Sequence, residues 1–245
     1  MDPPISTSEF WLAGGGEDFL AACYATTPPA ILRSFDVEEA FVRENLPRRG
    51  RVLEVGCGSG RFLGRLPRGE RRVFGCDLVE GALHRARALL GASVPLCAAD
   101  AARLPFRSGA FEAVLCVQAS LGNFGDRLEP SLEGMRRVLA PGGILLATVY
   151  SESALQHRLE WYRRLEGIGR FGRIDPVRSR GHLVVTTSGW ASEGFEEARL
   201  RSLLRDAGFS PRLERRDEVL HLVRARATGS PGSSPPPARA GRSSG

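Results

Sequence analysis

The sequence predicts an α/β fold built on a mostly parallel sheet, and three observations predict it. Short apolar runs alternate with helical patterns between residues 50 and 150, as in strands joined by right-handed helical crossovers. The run Phe111–Val117 (FEAVLCV) is almost continuously apolar, as expected of a strand covered on both faces. Two closing runs, Ser210–Glu214 and Val219–Ala225, are separated only by Arg215-Arg216-Asp217 and a following Glu. A connection that tight favours an antiparallel pair.

The elements follow in order. Phe10–Tyr24 and Phe35–Asn45 read as helices broken by Thr27-Pro28-Pro29. Arg51–Val55 is a β-prone run stopped by glycines, and Phe62–Leu66 begins a short helix that ends near Pro67. Arg72–Cys76 is a second strand, halted at Asp77. Gly81–Leu90 carries Leu83, Ala86, Leu89 and Leu90 at helical spacing. Ser93–Cys97 is a third strand and Phe111–Val117 a fourth. Leu128–Leu139 is a helix closed by Ala140-Pro141-Gly142-Gly143, which leads into a fifth strand, Ile144–Tyr150. Gly194–Ala207 is amphipathic and ends at Gly208, a residue suited to a helix C-terminus. The chain therefore divides into an N-terminal helical lid (1–46), a catalytic-type α/β domain (47–227) with an insertion at 151–193, and a Gly/Ser/Pro-rich tail (228–245). That tail has too little apolar surface to offset the entropy of ordering and is expected to be disordered.

Composition excludes several classes. At 245 residues the chain suits one well-cored α/β domain with additions. No apolar run approaches the roughly 20 residues that a membrane-spanning helix needs. Met1-Asp2-Pro3-Pro4 shows no basic region leading into an apolar stretch, so a cytoplasmic location is expected. All 34 basic residues are arginine, and Arg224, Arg226, Arg239 and Arg242 near the end account for most of the net charge of +6. The remaining body shows no basic stripe, which argues against nucleic acid as a partner. Cys23, Cys57, Cys76, Cys97 and Cys116 form no C-x-x-C pair. They read as small buried hydrophobes, with no metal site.

The strongest local signal is Val52-Leu53-Glu54-Val55-Gly56-Cys57-Gly58-Ser59-Gly60. A strand runs into three alternating glycines at the edge where open α/β sheets bind ligands. Glycine lets a ligand approach the backbone without a Cβ in the way. The helix that follows would offer free N–H groups to a negative group. Asp77 ends the second strand, where its carboxylate could accept both hydroxyls of a ribose or simply cap the next helix. Asp100 follows the third strand, placed to accept an adenine amino group while the Ala101 N–H reaches a ring nitrogen. The glycine spacing is G-x-G-x-G, whereas the dinucleotide fingerprint is G-x-G-x-x-G; Arg61 stands where that fingerprint would place its last glycine. That argues against a nicotinamide-dependent oxidoreductase.

With these residues in place the chain resembles the class I S-adenosylmethionine-dependent methyltransferases of small-molecule type. VLEVGCGSG, GCDLVEGAL, AADAARLPF and MRRVLAPGGILLATVY carry the likeness, which extends from about Arg51 to Ala225. The resemblance implies a Rossmann-like seven-stranded sheet, mostly parallel with its last strand antiparallel, and helices on both faces. It implies S-adenosyl-L-methionine as cofactor. Gly56, Cys57, Gly58 and Gly60 would line its methionine part, and Glu54 would hold the loop or bind the amino group through water. Asp77 and Leu78 would frame the ribose, Asp100 and Ala101 the adenine, and Gln118 would face the donor methyl region. Val117-Gln118-Ala119-Ser120-Leu121-Gly122-Asn123-Phe124 lacks the Asn/Asp-Pro-Pro-aromatic motif of enzymes that methylate exocyclic amines. The pattern resembles that of enzymes acting on small-molecule N or O acceptors. Protein or RNA methylation, or cofactor binding without catalysis, stay open as alternatives.

The acceptor end is less specific. Trp11, Asn123 and Trp161 are candidate substrate contacts, in company with Phe10, Phe19, Tyr24, Tyr162, Phe171, His182 and Trp190, aromatics that could instead pack the added helices. His157 and Tyr150 are candidate general bases, needed only if the acceptor must lose a proton. The run Arg163, Arg164, Arg170, Arg173, Arg178 and Arg180 could attract an acidic substrate or form a solvated face. Oligomeric state is not legible.

Overall fold

In the computed structural model, which describes residues 7–13, 17–168 and 171–228, β1 (Arg49–Val55) is flanked by two parallel neighbours, β2 (Glu70–Asp77) and β4 (Phe111–Cys116). β3 (Leu96–Ala98) extends the sheet beyond β2, and β5 (Leu139–Tyr150) beyond β4. The closing strands β8 (Phe209–Glu214) and β9 (Leu220–Ala227) complete it in the order β3-β2-β1-β4-β5-β9-β8, with β9 antiparallel to both neighbours. The expected seven-stranded, mostly parallel sheet with an antiparallel last strand is therefore present. Chain order reverses between β1 and β4, and in open sheets that crevice at the carboxyl ends is where ligands bind.

Strand alternation sends neighbouring side chains to opposite faces. Val52, Ala113, Leu115, Ile144 and Leu146 pack with α3 (Pro29–Asn45) and α4 (Glu80–Leu90). Leu53, Val114, Leu145, Ala147 and Val223 pack on the other face with α5 (Leu128–Val138) and α7 (Glu197–Asp206). Helices thus cover both faces, which explains why Phe111–Cys116 reads as nearly continuous apolar sequence. All five cysteines are free thiols, and four of them are buried.

Several boundaries differ from expectation, for physical reasons. The helix expected over Phe10–Tyr24 is two helices, α1 (Thr7–Leu12) and α2 (Glu17–Thr26). The next one starts at Pro29, not Phe35, because proline at the first helical position loses no hydrogen bond and brings a preset φ. Phe62–Leu66 makes only a 3₁₀ turn, Leu63–Arg65. The third strand is shorter, Leu96–Ala98. The fifth begins at Leu139, where Leu139 pairs with Phe111 before a bulge, so Pro141-Gly142-Gly143 is a strand irregularity and not a helix terminus alone. Of the tail expected to be disordered, only Thr228 is described: its N–H and hydroxyl both donate to the Gly208 carbonyl, at 2.9 and 2.7 Å. The rest lies outside the described residues.

Within 151–193 the structure places α6 (Leu155–Leu165) and a small hairpin of β6 (Leu183–Val185) with β7 (Ala191–Glu193). Arg158 ties them together. Fully buried, it donates to the carbonyls of His182 (2.8 Å) and Ser192, to the Ser192 hydroxyl (3.1 Å) and to the Tyr162 hydroxyl (3.3 Å). Its guanidinium lies 5.1 Å from the centre of the Tyr150 ring. A charge kept from water must be hydrogen-bonded to be tolerated, and here backbone carbonyls supply that, fixing the hairpin against the end of β5.

One close approach sets the position of α5. A Cβ on Gly134 would lie 2.3 Å from the Ala101 carbonyl oxygen, so the helix seats against the turn after β3 only because that residue has no side chain. Gly134→Ala should therefore lower stability by about 1–3 kcal/mol, the usual cost of overpacking, read as a lower urea midpoint. An unchanged midpoint would show that the turn yields.

Candidate active site

A cleft opens at the carboxyl ends of the central strands. Val55, Gly56, Cys57 and Gly58 line it from the turn after β1, Asp77, Leu78 and Val79 from the end of β2, and Ala99, Asp100 and Ala101 from the turn after β3. Gln118, Ser120, Asn123 and Phe124 come from the segment after β4, and Ser8, Trp11 and Tyr24 from the N-terminal helices. Sheet topology alone brings the first three groups together, since β1, β2 and β3 are adjacent.

Gly56, Gly58 and Gly60 all have positive φ, at 75°, 52° and 78°, a conformation for which glycine carries no steric penalty. Their roles differ. A Cβ on Gly56 would meet the Ser120 hydroxyl at 3.3 Å, so this residue keeps the cleft floor open. A Cβ on Gly60 would meet Leu90 at 2.7 Å. Gly60 therefore serves the close packing of α4 and is not among the residues lining the cleft. Glu54 also stands back from the cleft. It is buried, its Oε2 finds no partner among the described residues, and burial, then Glu38 and Asp77 nearby, push its pKa well up.

Asp77 ties two elements together. Its Oδ2 accepts the Gly58 N–H at 2.7 Å and its Oδ1 accepts the Val79 N–H at 2.9 Å, one residue before α4. Burial raises its pKa, opposed by the N–H groups of Val79, Gly58 and Leu78. An ionised carboxylate has about four acceptor positions, so these N–H groups leave it spare acceptor capacity for a ligand. Asp100 accepts the Ala102 N–H through Oδ1 (2.8 Å) and Arg127 Nη2 through Oδ2 (2.5 Å). The ion pair is about one third exposed on each side and worth at most about 1 kcal/mol; it orients the carboxylate more than it stabilises the fold.

Gln118 lies in the wall with an unusual backbone. It and Ala119 both have positive φ, 57° and 56°. Its amide fits its surroundings with Nε2 donating to the Tyr24 hydroxyl (3.0 Å) and Oε1 accepting from Arg61 Nε (3.2 Å). The Arg61 guanidinium sits 4.6 Å from the centre of the Tyr24 ring and 4.4 Å from that of Phe35. Asn123 lines the cleft, and its Oδ1 is buried without a partner among the described residues.

The other expected residues separate. Trp11 lines the cleft; Trp161 does not, and donates through Nε1 to the Cys23 carbonyl (3.1 Å), joining α6 to α2. Tyr162, Phe171 and Trp190 pack on one another with ring centres 4.7–5.9 Å apart. His157 binds the Glu218 carboxylate at 2.9 Å away from the cleft, and Tyr150 is buried beside Arg158. Neither candidate base lines the cleft. Arg170 and the side chain of Phe19 lie outside the described residues. Sequence reasoning missed Arg127, Ser8, Ser120, Phe124 and the buried Glu38. Ser120 and Phe124 lie in the segment after β4 that also carries Gln118 and Asn123, whereas Ser8, Arg127 and Glu38 had no motif to signal them.

Comparisons with known proteins settle the family. A profile of the methyltransferase domain matches residues 52–143. Protein-L-isoaspartate O-methyltransferase of Anaeromyxobacter dehalogenans is 33% identical over 66% of this chain and 78% of its own. The chain belongs to the class I S-adenosylmethionine-dependent methyltransferases. Other members are similar over less of their length. Malonyl-[acyl-carrier protein] O-methyltransferase of Erwinia pyrifoliae is 31% identical over 57% of this chain and 54% of its own. This methyltransferase spans about half the length or less of several curated relatives it matches. Burkholderia thailandensis 1,6-didemethyltoxoflavin-N1-methyltransferase, solved with bound 1,6-didemethyltoxoflavin and S-adenosylhomocysteine, shares the fold with a TM-score of 0.61 at 21% identity, over 86% of each chain. Among the described residues of this methyltransferase, no helix is long and apolar enough to cross a membrane.

The residues present fit the family's donor: a glycine cradle and an aspartate with spare acceptor capacity, both lining the cleft. The buried acids also have a measurable consequence. Burial pushes Glu38 up to about 7; hydrogen bonds from Thr148 and Gln118, then Arg61, oppose this. Its pKa is raised relative to the unfolded chain, so the native state holds a proton that the unfolded state has lost between pH 4.5 and about 7. Stability contributed by that proton is present at low pH and lost as pH rises through this window. Glu38→Gln should therefore gain stability relative to the parent by about 2–3 kcal/mol between pH 5 and pH 8. Parallel stability curves for the two proteins would contradict the assignment.

Proposed function

We propose that this chain transfers the methyl group of S-adenosylmethionine to a small-molecule N or O acceptor. The observation that carries this reading is that Trp11, Tyr24 and Ser8 of the N-terminal helices line the same cleft as the glycine turn, Asp77 and Asp100. A roof built from the chain's own helices and set over a nucleoside site favours an acceptor small enough to fit beneath it.

The donor, when bound, supplies an electrophilic methyl carbon, so the task left to the chain is positioning. Gly56 and Gly58 offer open backbone to the methionine end, and the spare acceptor capacity of Asp77 suits the ribose hydroxyls. Asp100, oriented by Arg127, and Ala101 suit the adenine edge, with Leu78, Val79 and Ala82 giving it apolar walls. Trp11 and Tyr24 exclude water from the acceptor side. Asn123, with a buried and unpartnered acceptor atom, suits a donor group on the acceptor molecule. His157 and Tyr150 have no place in this reading, since neither reaches the cleft.

Several relatives are named for macromolecular or carrier-bound acceptors, among them the Arabidopsis thaliana tRNA (carboxymethyluridine(34)-5-O)-methyltransferase. The test must therefore include those classes. Incubation with radiolabelled S-adenosylmethionine and panels of small amines, phenols and carboxylic acids, alongside bulk tRNA and protein, should label a small molecule. Label entering only tRNA or protein would replace this reading with a macromolecular one.

A further inference from the structure

Two consecutive residues other than glycine with left-handed backbone are costly and persist only where their surroundings over-determine them. Gln118 and Ala119 are such a pair, and Gln118 lines the wall of the cleft after β4. What holds them comes largely from outside the loop. Glu38, on α3, is buried. Its Oε1 accepts the Gln118 N–H at 2.6 Å and also the Thr148 hydroxyl near the end of β5. One carboxylate oxygen thus joins the N-terminal region, the strained turn and the sheet. The other, Oε2, has no partner among the described residues. A buried acid left half-satisfied is expensive, and packing alone would be served by an apolar side chain. Glu38 itself does not line the cleft.

We propose that Glu38 is a positioning residue: by fixing the backbone of Gln118 it aims the Gln118 side chain into the donor cleft, between Tyr24 and Arg61. The inference rests on the reading of this cleft as the S-adenosylmethionine site. Glu38 acts only through Gln118, and this gives a signature that a merely structural role lacks.

The test is a double-mutant cycle on S-adenosylhomocysteine affinity, measured by titration calorimetry, with melting temperature followed in parallel. Glu38→Leu should weaken binding about five- to twentyfold, and Gln118→Ala by a similar factor; the double variant should lose no more than Gln118→Ala alone, because coupled sites are not additive. Glu38→Gln keeps an acceptor at Oε1 and should restore affinity to within about threefold of the parent, the scale of one modest interaction. Should Glu38→Leu not fold, Glu38→Asn, which draws the acceptor back by one methylene, should show the same loss. Parent-like affinity in Glu38→Leu or Glu38→Asn, or losses that multiply in the double variant, would overturn the proposal. Failure of the parent itself to bind would instead overturn the donor-site reading.

Discussion

The Asp77 carboxylate is the constraint on which the site depends. It stands at the end of β2, beside β1, and bonds the glycine turn through Gly58 and the approach to α4 through Val79. A turn of three glycines has little stiffness of its own, since glycine loses more backbone freedom on folding than any other residue. Pinned at its middle to a strand end, it becomes a defined cradle. The same carboxylate lines the cleft and keeps acceptor capacity, so its structural role would not compete with the proposed binding of a ligand. Helix capping and ribose binding looked like alternatives in the sequence; the geometry lets one side chain do the first without using up its capacity for the second.

The parts of the site that were legible are those carried by strand ends. A strand followed by glycines, a strand followed by aspartate, and an apolar strand all declare themselves locally, and parallel topology then brings their ends to one edge. Asp77, Asp100, Ala101, Leu78 and Gln118 reach the cleft in this way. What was not legible is set by distance along the chain. Glu38 is 80 residues from Gln118 and 110 from Thr148, and nothing in a helix reading FDVEEAF marks one glutamate as buried. Arg127 meets Asp100 across 27 residues from a segment without a motif. Gly60 belongs to the glycine pattern yet packs against α4, because spacing cannot say which way a missing side chain would have pointed.

The added segments illustrate the same limit. Their aromatic content suggested a substrate cap, but Trp161, Tyr162, Phe171 and Trp190 chiefly pack on each other and on α2, while the N-terminal Trp11 and Tyr24 reach the cleft. Arg158, one of many arginines in an arginine-rich stretch, is the buried one among the described residues. It is distinguished from its exposed neighbours only by the carbonyls that the hairpin turns toward it. Composition tells that a segment can bury apolar surface; which residues end inside is decided by partners far along the chain.

Calorimetric titration of the parent protein and of Asp77→Ala with S-adenosylhomocysteine tests the central claim most directly. If Asp77 holds the nucleoside, the substitution weakens binding by roughly 1.5–3 kcal/mol, the scale of charge-assisted hydrogen bonds, while the protein stays folded. Equal affinity in the two proteins would mean that the ribose does not sit on Asp77 and that the glycine turn and the aspartate do not form one donor site.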